Sequence, residues 1–143
     1  MLAVRALMLC GAIAVPAAAL TVTSTADSGY GTLRDAITRA AAGDTINFAP
    51  SVSEVVLTSG QLSIERNINI INTNPATVTV RRSGATGTAE FRILLVTNSA
   101  ATLSRLTISN GKSNTNPDNY PTNGGGDICN TGLLTLTDCY GQW

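Results

Sequence analysis

Short segments in which apolar and polar residues alternate recur along most of the chain. Each segment is of strand length, is rich in β-branched residues and is bounded by Gly, Asn, Pro or Ser, which is typical of strands separated by turns. The pattern predicts strands at residues 20–24, 45–48, 54–58, 61–65, 67–71, 77–80, 91–96, 102–109 and 133–137.

One segment, GTLRDAITRAAAGDTINF at residues 31–48, departs from this alternation. Thr32 followed by Asp35 is an N-terminal capping pattern, and Gly43 is a C-terminal stop. Together they predict one amphipathic helix of about three turns over residues 32–42. The predicted apolar face consists of Leu33, Ala36, Ile37, Ala40 and Ala41. The predicted polar face consists of Arg34, Asp35, Thr38 and Arg39.

No second helical pattern appears, so an architecture of repeated βαβ units is not expected. Two all-β architectures remain, a sandwich or barrel built from hairpins and a solenoid of parallel strands. Tight hairpin signals are rare, and LTISNG from Leu106 resembles LTLTDC from Leu134 as one repeat written twice. The expected fold is therefore all-β, a parallel β-helix (solenoid). A short N-terminal capping helix at residues 32–42 would cover its first open edge.

The first residues have the pattern of a secretory signal peptide. Arg5 precedes an apolar run that is too short to span a bilayer, and Ala17 and Ala19 form a small-x-small cleavage site. Cleavage is expected after Ala19, with no transmembrane helix in the mature chain. The expected organisation is a signal peptide at 1–19, an N-terminal cap strand and helix at 20–48, and β-helix coils at 49–143.

Composition limits the chemistry that the chain can perform. Nine basic and nine acidic residues give no net charge, which does not indicate nucleic-acid binding, and there is no histidine. The carboxylates after residue 19 are at least eight residues apart in sequence, so no acid-rich motif marks a catalytic or metal site. We therefore assign no catalytic residue, no metal and no cofactor. Arg81 and Arg82 either bind an acidic sugar or flank a loop.

The stretch KSNTNPDNYPTNGGGD, residues 112–127, is too long for a simple corner between strands. Long loops on a rigid scaffold often carry binding sites. The weak binding candidates are Asn114, Asn116, Asp118, Tyr120 and Asp127. Their order does not match a calcium-binding loop, so sugar or protein contact through Tyr120 and a loop without function remain as alternatives. Cys129 and Cys139 either pair as a disulfide or lie separately as small buried residues.

Residues Gly31-Thr32-Leu33-Arg34-Asp35-Ala36-Ile37 match the pattern Cys or Gly, Ser or Thr, Leu-Arg-Glu/Asp-Ala-Ile. With LTSGQLSI, LTISNG and GGGDICNTGLLTLTDC, the chain resembles bacterial secreted right-handed parallel β-helix proteins with a CSLREA-type N-terminal cap. It is similar in outline to pectin-lyase-like proteins and to polymorphic outer-membrane proteins. The signature cysteine is Gly31 here, so the resemblance implies no cap disulfide.

The resemblance implies an exported protein, secreted or on the bacterial outer membrane, that acts as a non-enzymatic adhesin-like or structural scaffold. Its expected partners are a surface glycan or a protein. The alternative is a pectin-lyase-like, polysaccharide-degrading enzyme whose active site lies in missing C-terminal coils. Because the chain stops at Trp143 within a repeat, we expect a truncated chain, and the alternative is a short protein whose end pairs with another chain. In either case residues 20–143 are expected to self-associate through the uncapped C-terminal end.

Overall fold

The computed structural model describes residues 16–112 and 126–141. Within these ranges it contains one helix, α1 at Leu33–Arg39, and twelve strands. The strands are β1 Ala19–Val22, β2 Thr45–Phe48, β3 Glu54–Leu57, β4 Leu62–Ile64, β5 Ile68–Ile71, β6 Val78–Arg82, β7 Leu94–Val96, β8 Ala100–Ser104, β9 Leu106–Ser109, β10 Ile128–Asn130, β11 Leu133–Thr137 and β12 Tyr140–Gly141.

The strands form three sheets, and every strand pair is parallel. Sheet A has the order β1-β2-β5-β8-β11, sheet B has β3-β6-β9-β12, and sheet C has β4-β7-β10. From β2 onward the chain enters sheets A, B and C in turn. Every third strand therefore joins the same sheet.

The core lies between the sheets and is built from columns of apolar side chains. In sheet A, Ile46, Ile70 and Leu103 occupy one register position on β2, β5 and β8, and each is at most 1% exposed. Neighbouring strands lie about 4.8 Å apart, so that successive members of a column pack directly on one another. The alternate residues of each strand, mainly Thr, Asn and Ser in sheet A, face outward.

The predicted fold class, an all-β right-handed parallel β-helix, was wrong. The structure consists of three parallel sheets together with a helix that belongs to the same core, which is an α/β-like arrangement. β1 and β2 are adjacent parallel strands joined through α1, and this is a βαβ unit, which the sequence analysis did not predict. The helix contributes Leu33, Ala36 and Ile37 to the core instead of only covering it.

The helix is also shorter than the predicted residues 32–42. Thr32 is the N-cap, but the helix ends at Arg39 because Ala40 adopts extended backbone angles of φ −60° and ψ 133°. Gly43 does not end the helix as predicted. It has a φ of +95° and lies in the turn that leads into β2, where its N–H donates to the Asn67 carbonyl.

Candidate functional site

A buried carboxylate, Asp27, joins the segment before α1 to the connection between β3 and β4. Its Oδ1 accepts hydrogen bonds from Arg34 Nη2 at 2.7 Å and from Arg34 Nε at 3.2 Å. Its Oδ2 accepts from the backbone N–H and the hydroxyl of both Thr58 and Ser59, at 2.6 to 3.1 Å. The Asp27 side chain is only 8% exposed. Both carboxylate oxygens are therefore engaged in holding the fold.

Arg34 completes this cluster from the first turn of α1. Its Nη1 donates to the Gln61 carbonyl at 2.9 Å, and its Nη2 donates to the Gly60 carbonyl at 2.7 Å. The planar guanidinium presents five N–H donors, which lets one side chain bind a carboxylate and two carbonyl groups together. The sequence predicts Arg34 on the polar face of the helix. In the structure its side chain contacts both the segment before α1 and the connection between β3 and β4.

The environment of Asp27 keeps it ionised. Burial is the largest single influence on its pKa and by itself would raise it. Hydrogen bonds from Ser59, from Arg34 and from the Thr58 and Ser59 amides together outweigh burial and hold the pKa of Asp27 well below its usual range. A group that stays charged in this way is suited to a structural link.

The remaining residues predicted for the cap act locally. Thr32 Oγ1 accepts from the Asp35 N–H at 3.2 Å and donates to the Gly29 carbonyl at 2.8 Å. Asp35 Oδ2 accepts from the Gly31 N–H at 3.0 Å and pairs with Arg39 at 2.7 Å. The hydrogen bond from Arg39 is the main reason that the pKa of Asp35 is lowered. The apolar members Leu33, Ala36 and Ile37 are buried.

A groove runs between α1 and β4, but its size does not suit a typical ligand. It has a volume of about 190 Å³, whereas pockets for drug-sized ligands usually span several hundred Å³. Arg66 crosses one end of the groove and donates to the Thr38 and Ala40 carbonyls at 3.3 and 3.1 Å. The groove is lined by Ile37, Thr38, Ser63, Ile64, Glu65, Arg66 and Ile68. We therefore assign no ligand to it.

Most of the predicted binding candidates, Asn114, Asn116, Asp118 and Tyr120, lie outside the described residues. Asp127 is described and is 1% exposed. Its Oδ1 accepts from the Gly111 N–H at 2.5 Å, and its carbonyl accepts from the N–H groups of Ile93 and Leu94 at 2.9 and 3.0 Å. These contacts give Asp127 a structural role between β7 and β9.

The outward residues of sheet B bring together groups that sequence reasoning did not connect. We call them the sheet B outer face. One column runs across all four strands, and a second column beside it runs across β3, β6 and β9. The first column is Glu54, Thr79, Thr107 and Tyr140, and the second is Val56, Arg81 and Ser109.

Glu54 and Arg81 form a bidentate ion pair on this face. Arg81 Nε donates to Glu54 Oε1 at 2.6 Å, and Arg81 Nη2 donates to Glu54 Oε2 at 3.2 Å. The hydrogen bond from Arg81 is the main cause of the lowered pKa of Glu54, so Glu54 is a carboxylate at neutral pH. The side chains are 42% and 33% exposed, which leaves both of them accessible to solvent. Arg82 instead turns inward and donates from Nε to the Asn110 carbonyl.

Tyr140 ends the first column and is 64% exposed. It stands in register with Thr107 on the neighbouring strand. With a strand spacing of about 4.8 Å, three steps separate Glu54 from Tyr140 by about 14 Å. The face thus presents charged, hydroxyl and aromatic groups along one regular surface. Sequence reasoning missed this surface because Glu54 and Arg81 are far apart in sequence and become neighbours only through the register of β3 with β6.

Cys129 and Cys139 are both free, with Cys129 buried and Cys139 half-buried. Of the two alternatives left by the sequence, the structure contains the one without a disulfide. At the predicted cleavage site, Ala17 is exposed and Ala19 is the first residue of β1. The signal peptide stays a prediction, since residues 1–15 are outside the described part.

Within residues 16–112 and 126–141, no group of three or more Cys, Asp or Glu side chains is placed to hold a metal ion. In the same ranges no helix is long and apolar enough to cross a membrane.

The chain was also compared with known proteins. No protein-family model, no curated protein and no solved structure matches it.

Proposed function

We propose that this chain is an exported, non-enzymatic scaffold that binds surface glycans through the sheet B outer face. One observation carries the proposal: a bidentate ion pair, two threonine hydroxyls and an exposed aromatic ring lie in two neighbouring columns of one regular surface. Export rests on the signal-peptide pattern of residues 1–19 and on the resemblance to secreted bacterial proteins.

The chemistry of this face suits sugar hydroxyl groups, which both donate and accept hydrogen bonds. Arg81 uses two of its five N–H donors on Glu54, and Glu54 retains unused lone pairs. The Tyr140 ring offers an apolar surface with a polar tip, and this combination matches a sugar ring with apolar C–H groups and polar edges. Because the ion pair has no net charge, the face favours a neutral glycan over an acidic one.

The dimensions favour a chain of sugars over a single sugar. Glu54 and Tyr140 are about 14 Å apart by strand spacing, so a ligand that touches both groups must be extended. Both residues lie on strands instead of flexible loops, which reduces the entropy lost on binding.

The test is titration calorimetry of the full chain with a panel of neutral and acidic oligosaccharides. We expect Arg81→Ala and Tyr140→Ala each to weaken binding of a neutral oligosaccharide roughly five- to tenfold, the loss of about one hydrogen bond or aromatic contact. Thr102→Ala, on the outer face of sheet A, is the matched control and should bind normally.

Three results would contradict the proposal. The first is no binding to any member of the panel, and the second is binding that neither Arg81→Ala nor Tyr140→Ala weakens. The third is release of reducing sugar from these polymers by the wild-type chain, which would show enzymatic activity.

A further inference from the structure

Asp44 is a buried carboxylate in the turn between α1 and β2, and it contacts the segment that leads into β1. Asp44 is only 6% exposed. Its Oδ1 accepts a hydrogen bond from the Ala18 N–H at 2.7 Å, and its Oδ2 accepts from the Ala41 N–H at 2.9 Å. The Ala18 carbonyl in turn accepts from the Thr45 N–H at 2.9 Å. The backbone of Ala18 is therefore held at both its N–H and its carbonyl group.

Asp44 has no positively charged partner in the described part of the chain. The cations that form ion pairs within residues 16–112 and 126–141 use other carboxylates, and they are Arg34, Arg39, Arg81 and Lys112. Buried carboxylates are usually paired with a cation, because removal from water penalises an unpaired charge. The two N–H groups bound to Asp44 provide hydrogen bonds but do not compensate its charge.

A cut between Ala17 and Ala18 would supply a compensating charge. Hydrolysis breaks the bond between the Ala17 carbonyl carbon and the Ala18 nitrogen and adds one water molecule, which leaves a carboxylate on Ala17 and an α-amino group on Ala18. An α-amino group has an ordinary pKa of about 7.7–8.0, so at pH 7 it is mostly an ammonium. The Ala18 nitrogen already lies 2.7 Å from Asp44 Oδ1, so the ammonium would form an ion pair without movement of the backbone.

We propose that a signal peptidase, an endoprotease that cuts after small residues, removes residues 1–17, and that the new Ala18 ammonium pairs with Asp44 to hold β1 in place. This inference rests on the export proposed above. Residues 15–17, Val-Pro-Ala, end in the small residue that such a cut requires. Within the described structure Pro16 and Ala17 are exposed and form no hydrogen bond, so their removal breaks none.

A cut after Ala19, which the alanine pattern alone favours, agrees less well with these contacts. It would remove Ala18 and leave Asp44 Oδ1 and the Thr45 N–H without the partners that they have in the structure. It would also remove Ala19, the first residue of β1, which is in register with Thr45. The new ammonium would then be on Leu20, two residues beyond the nitrogen that contacts Asp44.

Export of the full chain from a bacterial host, followed by mass spectrometry of the N-terminal peptide, locates the cut. We expect the exported product to begin at Ala18. An exported product with any other first residue, including Leu20, would overturn the inference and leave the export standing. A chain that stays uncut in the cytoplasm would overturn both.

Two substitutions distinguish the two cleavage positions. Ala17→Phe places a large residue directly before the proposed cut and should abolish processing. Ala19 is exposed and lies after the proposed cut, so Ala19→Phe should be processed as completely as the wild type. Loss of processing in Ala19→Phe, or normal processing of Ala17→Phe, would contradict the proposed position.

Asp44→Asn tests the ion pair, because it removes the charge and keeps the size of the side chain. The comparison uses the product that begins at Ala18 and the same product with one extra N-terminal alanine, in which the Ala18 nitrogen is an uncharged amide. We expect Asp44→Asn to lower the melting temperature of the first chain by at least about 3 °C more than that of the second. Equal shifts in the two chains would overturn the pairing. Glycan binding at the sheet B outer face is measured independently.

Discussion

The two ends of the sheets differ in how far their apolar side chains and backbone groups are covered. At one end, α1 packs against β1 and β4, Ile37 is 8% exposed, and the Asp27–Arg34 cluster satisfies the carbonyls of the adjacent loop. At the other end, Leu136 is 39% exposed and the outer edge of β11 has no described partner. A stack of parallel strands therefore needs apolar cover and polar partners at each end, and the helix supplies both at only one of them.

Removing the polar link should cause the largest loss of stability at the helix-covered end. Asp27→Ala leaves the Arg34 guanidinium and the Thr58 and Ser59 donors without their carboxylate. Breaking a buried ion pair on one side typically costs about 3–5 kcal/mol. We expect a decrease of this size in the free energy of unfolding measured by urea denaturation.

Asp35→Ala is the matched control, because it removes an exposed ion pair from the same segment. It should lower stability much less than Asp27→Ala. Equal effects of the two substitutions would show that the cluster around Asp27 is not what holds the helix in place.

A single apolar column compares the interior with the open end directly. Leu103→Ala removes a fully buried side chain and should cost about 2–5 kcal/mol. Leu136→Ala, one strand further along the same column, should cost roughly 2 kcal/mol less, since part of its side chain is already exposed. Both values come from urea denaturation at a protein concentration at which light scattering shows a monomer, and similar costs would mean that the Leu136 side chain is covered within one chain.

The smallest effect concerns pH. The pKa of Asp27 is lower in the folded chain than its unfolded value of about 3.9, so below that value the unfolded chain binds more protons and stability falls. By pH 3 this single group should account for a loss of about 1 kcal/mol relative to neutral pH. Unfolding of the wild type and of Asp27→Asn, measured from pH 7 to pH 3, should therefore differ in slope. Parallel curves would contradict the role assigned to Asp27.

The strands were largely predictable from the sequence, because alternation of apolar and β-branched residues is a local property. The exceptions have local causes. Residues 102–109 form two strands instead of one because Arg105 adopts a φ of +57°, which turns the chain between them. This left-handed backbone conformation is not expected for an arginine from the sequence. β10 has the sequence Ile-Cys-Asn and β12 has only two residues, so neither contains apolar and polar residues in alternation. The fold class was wrong because a single helix also joins β1 and β2 and fills part of the core.

The candidate sites were less predictable, because they depend on register across strands. The sequence did not mark Asp27 as a site residue, because its partners Thr58 and Ser59 lie more than thirty positions away. Glu54 and Arg81 are 27 residues apart and meet only because β3 and β6 are neighbours. The local sequence pattern does not show which distant residues become neighbours in the fold. The N-cap at Thr32 depends only on nearby residues, so it could be predicted from the sequence.

The contacts of Arg34 also set the order in which parts of the chain can fold during synthesis. Its carbonyl partners at Gly60 and Gln61 are 26 and 27 residues downstream, so the helix cannot be anchored until that loop has left the ribosome. Chains grow from the N-terminus, and segments form tertiary contacts only as they emerge. The earliest unit able to close thus includes β1, α1, β2 and β3, and later strands add to an end that is already fixed.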